Sequence, residues 1–141
     1  MITIEGEGGS ITIQLRGYEN PAADNDSDAN WLSSRLSVSV GPFSGEFDAA
    51  LTTQDLVALQ QGLNTLLRDL KGKAAFRTDE DWLSFDIEMS ATGAATLVGH
   101  ATTRIGPRVR FDFSFQTDQS YLSRTKRALD AAVAAFPVLQ R

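Results

Sequence analysis

The spacing of apolar side chains changes twice along the chain, from every second residue to every third or fourth. Period-two alternation over residues 2–5, 11–15, 32–40 and 43–51 predicts four strands. Leucines at three- and four-residue steps then form one apolar stripe, which predicts a helix over residues 56–70. The first half of the chain must therefore fold as strands that share an apolar face with a helix.

The second half follows the same order. Residues 73–77, 82–89, 96–105 and 108–115 are predicted to form four strands, and residues 120–136 a helix that ends before Pro137. Short connections favour antiparallel neighbours, and a half-apolar sheet needs a cover. We therefore predict an α+β fold with about eight antiparallel strands covered by two helices.

Two passages of the chain align with each other. Phe47-Asp48 and Phe111-Asp112 each precede a threonine at a strand end and a helix with a matching apolar stripe. The alignment predicts a pseudo-repeat of a ββββα unit, with residues 1–72 and 73–141 as its halves. Duplication of one unit and a shared helical period both account for it.

Local signals fix the ends of the first helix. Thr52 or Thr53 can cap its first turn, Asp55 lies near the positive end of its dipole, and Lys71-Gly72 ends it.

Size and composition restrict the setting in which this chain works. Its 141 residues suit a single domain spanning residues 1–141. It has no cysteine, so disulfides and thiolate metal sites are excluded. No apolar run approaches the roughly 18–20 residues that cross a bilayer, and the N-terminus lacks a signal-peptide pattern. We expect a cytoplasmic protein with no membrane partner.

Acidic residues are concentrated in two short segments. The chain has 18 Asp and Glu against 13 Lys and Arg, a net charge of −5. The first segment, here called the acidic loop, spans residues 19–28; the second, the acidic turn, spans residues 79–81. Their acidic residues are Glu19, Asp24, Asp26, Asp28, Asp79, Glu80 and Asp81. This charge predicts a cationic partner and argues against nucleic acid.

Residue types that support catalysis are sparse. His100 is the only histidine, so a histidine-rich zinc site is excluded, and a serine triad would have to use that residue. Ser44 in "GPFSG" has the wrong spacing for a nucleophile elbow. Asp86 and Glu88 share one face of a predicted strand whose other face is apolar, as on a solvated sheet. We predict that the chain is not an enzyme and uses no cofactor, with a hydrolase acting through His100 as the remote alternative.

The acidic loop partly matches a calcium-binding loop. Its oxygen ligands would come from Asp24, Asp26, Asp28 and Asn30. Ala29 stands where a glycine must allow a sharp turn, and Arg35 stands where a bidentate glutamate is required. The spacing therefore predicts a loop that folds without metal.

Several short motifs in the same order resemble one family. They are "YENP", "DANWL", "GPFSGEFDAAL", "LKGKAAF", "EDWLSFDI", "TDQSYL" and "AAFPV", spread from Tyr18 to Val138. Together they resemble the WapI-type immunity proteins of bacterial contact-dependent toxin systems. The resemblance implies an inhibitor that binds the toxic C-terminal domain of a large secreted protein, in the best known case a nuclease that acts on transfer RNA.

The charge pattern and the resemblance predict the same surface. We expect a basic toxin domain to contact Glu19, Asp24, Asp26, Asp28 and the acidic turn, with Trp31 as an aromatic anchor or as a core residue. Trp82 has the same two interpretations, and Tyr18 is a further candidate for the aromatic anchor. A small non-catalytic binding or scaffolding domain is the alternative function. The sequence leaves the oligomeric state open.

Overall fold

The period-two segments form eight strands and the period-3.6 segments form two long helices. The computed structural model describes residues 1–141. The strands are β1 (Ile2–Gly6), β2 (Gly9–Tyr18), β3 (Trp31–Val40), β4 (Phe43–Thr52), β5 (Gly72–Arg77), β6 (Leu83–Met89), β7 (Ala94–Thr102) and β8 (Arg110–Asp118). The helices are α1 (Asp26–Ala29), α2 (Thr53–Asp69) and α3 (Gln119–Ala135). The predicted α+β class is confirmed, and the one-turn helix α1 within the acidic loop was not predicted.

The strands form two four-stranded antiparallel sheets in simple sequence order. One sheet has the order β1-β2-β3-β4 and the other β5-β6-β7-β8. In the first sheet the register aligns Ile4 with Ile11 and Ile11 with Val38, so these three buried residues share one face. A slip of one residue would turn that face to solvent, and so the apolar pattern fixes the register.

The long helices join the two halves. The helix α2 packs against β5 and α3, and α3 packs against β1, the first strand of the other sheet. The buried apolar side chains of both halves therefore form one contiguous cluster of 28 residues. Leu63 of α2 and Leu129 of α3 are both fully buried within it.

Side-chain caps define the helix ends. Thr52 caps α2 and forms a capping box with Asp55, in which each side chain accepts the backbone N–H of the other residue. Thr52 was one of the two residues predicted for this cap. The helix ends one residue earlier than expected, because Leu70 itself adopts the left-handed conformation with φ 53° and donates its N–H to the carbonyl of Leu66. The helix α3 ends at Ala135, one residue earlier than predicted, and Phe136 forms its C-cap immediately before Pro137.

The outer edge of β1 is covered by side chains. The hydroxyl of Thr125 donates to the carbonyl of Thr3 at 2.8 Å, and that of Thr117 donates to the carbonyl of Glu5 at 2.6 Å. The N–H of Glu7 donates to the carbonyl of Gln116 at 2.8 Å. Unpaired backbone groups at this edge are thus satisfied within the molecule, which blocks pairing with another chain.

Truncating the equivalent buried leucines tests this packing. We expect Leu63→Ala and Leu129→Ala each to lower the free energy of unfolding by about 2–5 kcal/mol, because each leaves a cavity in the shared cluster. The measurement is urea denaturation followed by circular dichroism. Thr65→Ala, at an exposed position of α2, is the control and should change stability by about 0.5 kcal/mol or less. Near-neutral leucine variants would contradict the packing described.

Candidate partner-binding surface

The acidic loop is an ordered segment. Its base is closed by the N–H of Glu19, which donates to the carbonyl of Trp31 at 2.9 Å. Asn25 caps α1, since its side-chain oxygen accepts the N–H of Asp28 at 2.8 Å. The cap was present in the sequence as an asparagine three residues before an aspartate, but its four-residue helix is too short to show a helical period.

A buried amide next to this loop links it to two other parts of the molecule. The side-chain NH2 of Asn30 donates to the carbonyls of Asp26 and Leu139 at 2.7 and 2.8 Å. Its side-chain oxygen accepts the hydroxyl of Thr53 and the N–H of Leu139, both at 2.7 Å. Asn30 thus uses its full donor capacity, and it joins the loop, the start of α2 and the C-terminal tail.

The C-terminal tail, residues 137–141, crosses the acidic loop. The hydroxyl of Tyr18 donates to the carbonyl of Pro137 at 2.6 Å, and the Tyr18 ring packs edge-on against Phe136 with centroids 5.6 Å apart. Arg141 donates its backbone N–H to the Asp26 carboxylate and its guanidinium to the carbonyl of Pro21. Burial raises the pKa of the Tyr18 phenol, against an opposing effect from Arg141. Tyr18, predicted as a candidate anchor residue, therefore makes contacts within the molecule.

The carboxylates of the acidic loop remain exposed. Glu19, Asp24, Asp26 and Asp28 are all solvent-exposed, and none forms an ion pair with Lys or Arg. No group of three or more His, Cys, Asp or Glu side chains in the structure is arranged to hold a metal ion. Four unpaired charges on an ordered loop produce a field that a cationic partner would meet first.

The acidic turn is built on a buried threonine. The hydroxyl of Thr78 accepts the N–H of Trp82 at 2.8 Å and that of Leu83 at 3.3 Å. Asp81 adopts the left-handed conformation with φ 60°, and its carboxylate is 2.9 Å from Nε2 of His100. Asp79 and Glu80 are exposed, whereas Asp81 is half-buried. Asp81 is therefore partly engaged within the molecule.

His100 lies in a polar cross-strand group. Its ring contacts Asp81, and its register neighbours are Ser84 on β6 and Asp112 on β8. Ser84 is buried and makes no hydrogen bond to the ring. A serine nucleophile needs such a bond to its base, so the arrangement does not reproduce a triad.

Each acidic segment has a neighbouring or member residue close to the N-terminal end of α2. The acidic loop arrives through Asn30, whose carbonyl accepts the N–H of Thr53 at 3.0 Å. Burial chiefly raises the pKa of Asp55 in this turn, and hydrogen bonds with Thr52 oppose the rise. The charge of Asp79, from the acidic turn, adds a smaller increase to the same pKa. The folding of the sheet thus gathers carboxylates that are far apart in sequence around a helix terminus, which favours negative charge.

The two tryptophans differ in exposure. Trp31 is half-buried at the start of β3, opposite Thr52. Trp82 is buried and stacks on Phe47, with ring centroids 6.3 Å apart. Its indole N–H has no hydrogen-bond partner although it is buried. Trp82 therefore contributes mainly to the core, and Trp31 retains an accessible face.

An apolar groove was missed by the sequence analysis. It has a volume of about 350 Å³ and lies between the start of β4 and the loop that joins β7 to β8. Its apolar lining consists of Val38, Phe43, Phe47, Ala101, Val109 and Phe111. Most of these residues lie in strands that the alternation predicted, but the groove forms only where strands of the two sheets come together, which no local pattern indicates.

Comparisons with known proteins add a family and a fold. The model of a family described as "Immunity protein WapI-like family" matches residues 1–137. The plant transcriptional regulator PBF-2 is similar in structure, with a TM-score of 0.52 at 12% sequence identity over 95% of this chain and 85% of that chain. This likeness concerns the fold alone. Trypanosoma brucei MRP1/MRP2 matches with a TM-score of 0.48 at 10% identity, over 90% of this chain and 84% of that chain. No curated protein sequence matches.

Removing the buried amide tests how the loop is held. Asn30→Ala should lower the free energy of unfolding by about 1–3 kcal/mol or more, because it leaves buried backbone groups unpaired. Urea denaturation gives this value, and amide hydrogen exchange should become faster in residues 19–28. Asn20→Ala changes an exposed asparagine of the same loop whose side chain makes no hydrogen bond, and it should be nearly neutral. Equal effects of the two changes would refute the role of Asn30.

The raised pKa of Asp55 predicts a pH dependence. Protonation of Asp55 favours the folded state, so its contribution to stability is full below the unfolded-state pKa of about 4 and is lost as pH rises through the folded-state pKa. We therefore expect wild type to gain stability relative to Asp55→Asn as pH is lowered from about 7 to about 4. The free energy of unfolding of both proteins is measured by urea denaturation at each pH. In the difference between the two values, the effects of the carboxylates that both proteins share cancel. A difference that is constant, or that changes in the opposite sense, would contradict the prediction.

Proposed function

Because this chain belongs to the WapI-like immunity protein family, whose model matches residues 1–137, we propose that it neutralises a bacterial toxin domain by binding it through the acidic end of the molecule. That end comprises the acidic loop, the N-terminal turn of α2 and the acidic turn. Membership of the family supports an immunity role in which the chain acts by binding and not by catalysis. The toxin domain is proposed to be basic, and the cytoplasm to be the compartment of binding.

The observation that carries this proposal is the convergence of unpaired carboxylates. Six exposed acidic side chains come from two segments separated by about fifty residues of sequence, and none forms an ion pair with a Lys or Arg side chain: Glu19, Asp24, Asp26, Asp28, Asp79 and Glu80. Within the molecule, the Asp26 carboxylate accepts the backbone N–H of Arg141. Elsewhere, carboxylates such as Asp48 and Asp112 pair with arginines, which lower their pKa. The chain thus neutralises many of its charges internally but leaves those at this end available to a partner.

A nuclease is the toxin class that fits this surface best. An enzyme that grips the polyphosphate backbone of a nucleic acid needs a cationic cleft. An acidic inhibitor reaches such a cleft quickly, because complementary potentials raise the rate of encounter. Binding there would exclude the nucleic acid from the cleft.

The charge mechanism is tested with matched variants. Asp24→Asn, Asp26→Asn and Asp28→Asn together remove three charges from the acidic loop and keep side-chain size. We propose that the cognate toxin C-terminal domain is encoded immediately upstream of this chain's gene, and we expect the association rate with that domain to fall at least several-fold at low salt. The loss should shrink as salt rises, because exposed charges are screened over about 8 Å at physiological ionic strength. The measurement is stopped-flow association at low and high salt.

The control is a second triple variant with the same net charge as the first. Glu5→Gln, Glu7→Gln and Glu88→Gln remove three exposed carboxylates outside the acidic end and should leave the association rate close to that of wild type. Equal rates for both triple variants would show that only net charge matters and would defeat the docking role of the loop. If wild type neither binds nor inhibits that toxin domain, the proposed function itself is wrong.

A further inference from the structure

The apolar groove continues into a second depression along the same side of the molecule. The two share Glu46, Phe47, Thr103 and Val109 in their walls. The second depression has a volume of about 410 Å³ and also contacts Trp82, the residue that follows the acidic turn. The two depressions therefore adjoin along this side of the molecule, from Trp82 to the start of β4, and together they are here called the channel.

Exposed apolar side chains cluster around this channel. Phe43 is 68% exposed, Ile105 73% and Val109 56%. Single exposed apolar residues are common on soluble proteins. Three of them around one concave surface form a patch of the kind that marks a protein contact. In the isolated chain these side chains remain in water and contribute little to its stability.

The wall that carries Ile105 and Val109 is held in shape by hydrogen bonds. The loop joining β7 to β8 is closed at its base, where the N–H of Thr103 donates to the carbonyl of Val109 at 2.9 Å. The hydroxyl of Thr103 donates to the carbonyl of Pro107 and accepts the N–H of Val109, each at 2.9 Å. A loop fixed in this way loses little conformational freedom when a partner binds.

The opposite wall is an open sheet edge. β4 ends its sheet, and outside its pairing with β3 no group in the molecule hydrogen-bonds the backbone of residues 43–48. The edge of β1, in contrast, is covered by Thr117 and Thr125. The structure thus protects one edge of this sheet and leaves the other with free backbone donors and acceptors, which an extended segment can pair with.

Arginine side chains beside the channel indicate which chemical groups a bound segment should carry. Arg35 is paired with Glu46 and Asp48, and Arg110 with Asp112. Arg104, which lines the second depression, and Arg108 in the same loop form no ion pair. Unpaired guanidinium groups beside an apolar channel complement a carboxylate on an otherwise apolar segment.

We propose that this channel receives an extended segment of the toxin domain, which pairs with the edge of β4, fills the groove with apolar side chains and offers a carboxylate to Arg104. This inference rests on the proposed function, since it assigns a second contact to the same partner. The strand β4 links the two contacts: it starts at Phe43 beside the groove and ends at Thr52, which caps α2 at the acidic end. That span is about 30 Å, within reach of one protein domain.

Two valines of equal exposure provide the matched test. Val109 is 56% exposed in the channel wall, and Val98 is 55% exposed on β7 outside the apolar groove. Val109→Ser should weaken binding of the upstream-encoded toxin domain by about tenfold or more, mainly through faster dissociation, as truncation of a desolvated anchor does. Val98→Ser should bind like wild type. Arg104→Gln should weaken binding, with Arg127→Gln, an exposed and unpaired arginine of α3, as its control.

The absence of cysteine allows a second measurement that does not depend on affinity. Ser44→Cys on the exposed edge of β4 and Thr65→Cys on the exposed face of α2 each create a unique site for a photo-crosslinker. The label at position 44 should crosslink to the toxin domain, and the label at position 65 should not. Crosslinking of position 44 to a second copy of this chain would overturn the proposal, because the edge would then serve self-association.

The outcomes separate this inference from the proposed function. If wild type binds and inhibits the toxin domain while Val109→Ser behaves like Val98→Ser and position 44 does not crosslink, the channel is not the second contact and the immunity role stands. If wild type does not bind that domain, both proposals fail together.

Discussion

The acidic end depends on one buried amide. Asn30 is fully buried and bonded to the loop before it, to the first residue of α2 and to the C-terminal tail. A buried amide is costly unless its donors and acceptor are paired, so its position and those of its partners are mutually fixed. The loop can then hold several like charges at its surface, because Asn30 orders its backbone through uncharged hydrogen bonds in addition to those made by the Asp26 and Asp28 carboxylates. Replacement of Asn30 by a similar residue such as Asp would bury a carboxylate against the carbonyls of Asp26 and Leu139.

Counting acidic residues overstates the charge that a partner can use. Asp55 is buried in the cap of α2, and the Asp81 carboxylate is hydrogen-bonded to the His100 ring. Asp48 lies between Arg16 and Arg35, which hold its pKa low. What remains free is concentrated at the two segments beside the start of α2. The electrostatic surface is therefore set by internal pairing as much as by composition.

The sequence predicted those features that repeat with a regular period or have a local cap. The leucine stripe with Leu63 at its centre, the alternation of all eight strands and the Thr52 cap each leave a signal within a few residues. Other features depend on residues that are distant in sequence. Asn30 meets Leu139 across 109 residues, and the groove joins β4 to a loop more than fifty residues away. No local pattern encodes such contacts, and the one-turn helix α1 is too short to show a period.

The two proposed contacts affect different rates of binding: the acidic end affects association, and the apolar groove affects dissociation. Exposed carboxylates attract a basic domain from a distance but contribute little to its retention, since each remains hydrated and screened. An apolar groove acts only at contact, where desolvation slows dissociation. An inhibitor benefits from both properties, because fast capture and slow release together lower the fraction of its partner that is free. The ten residues of β4 connect the two surfaces rigidly, so that a domain drawn to the acidic end arrives with its neighbouring segment beside the open edge.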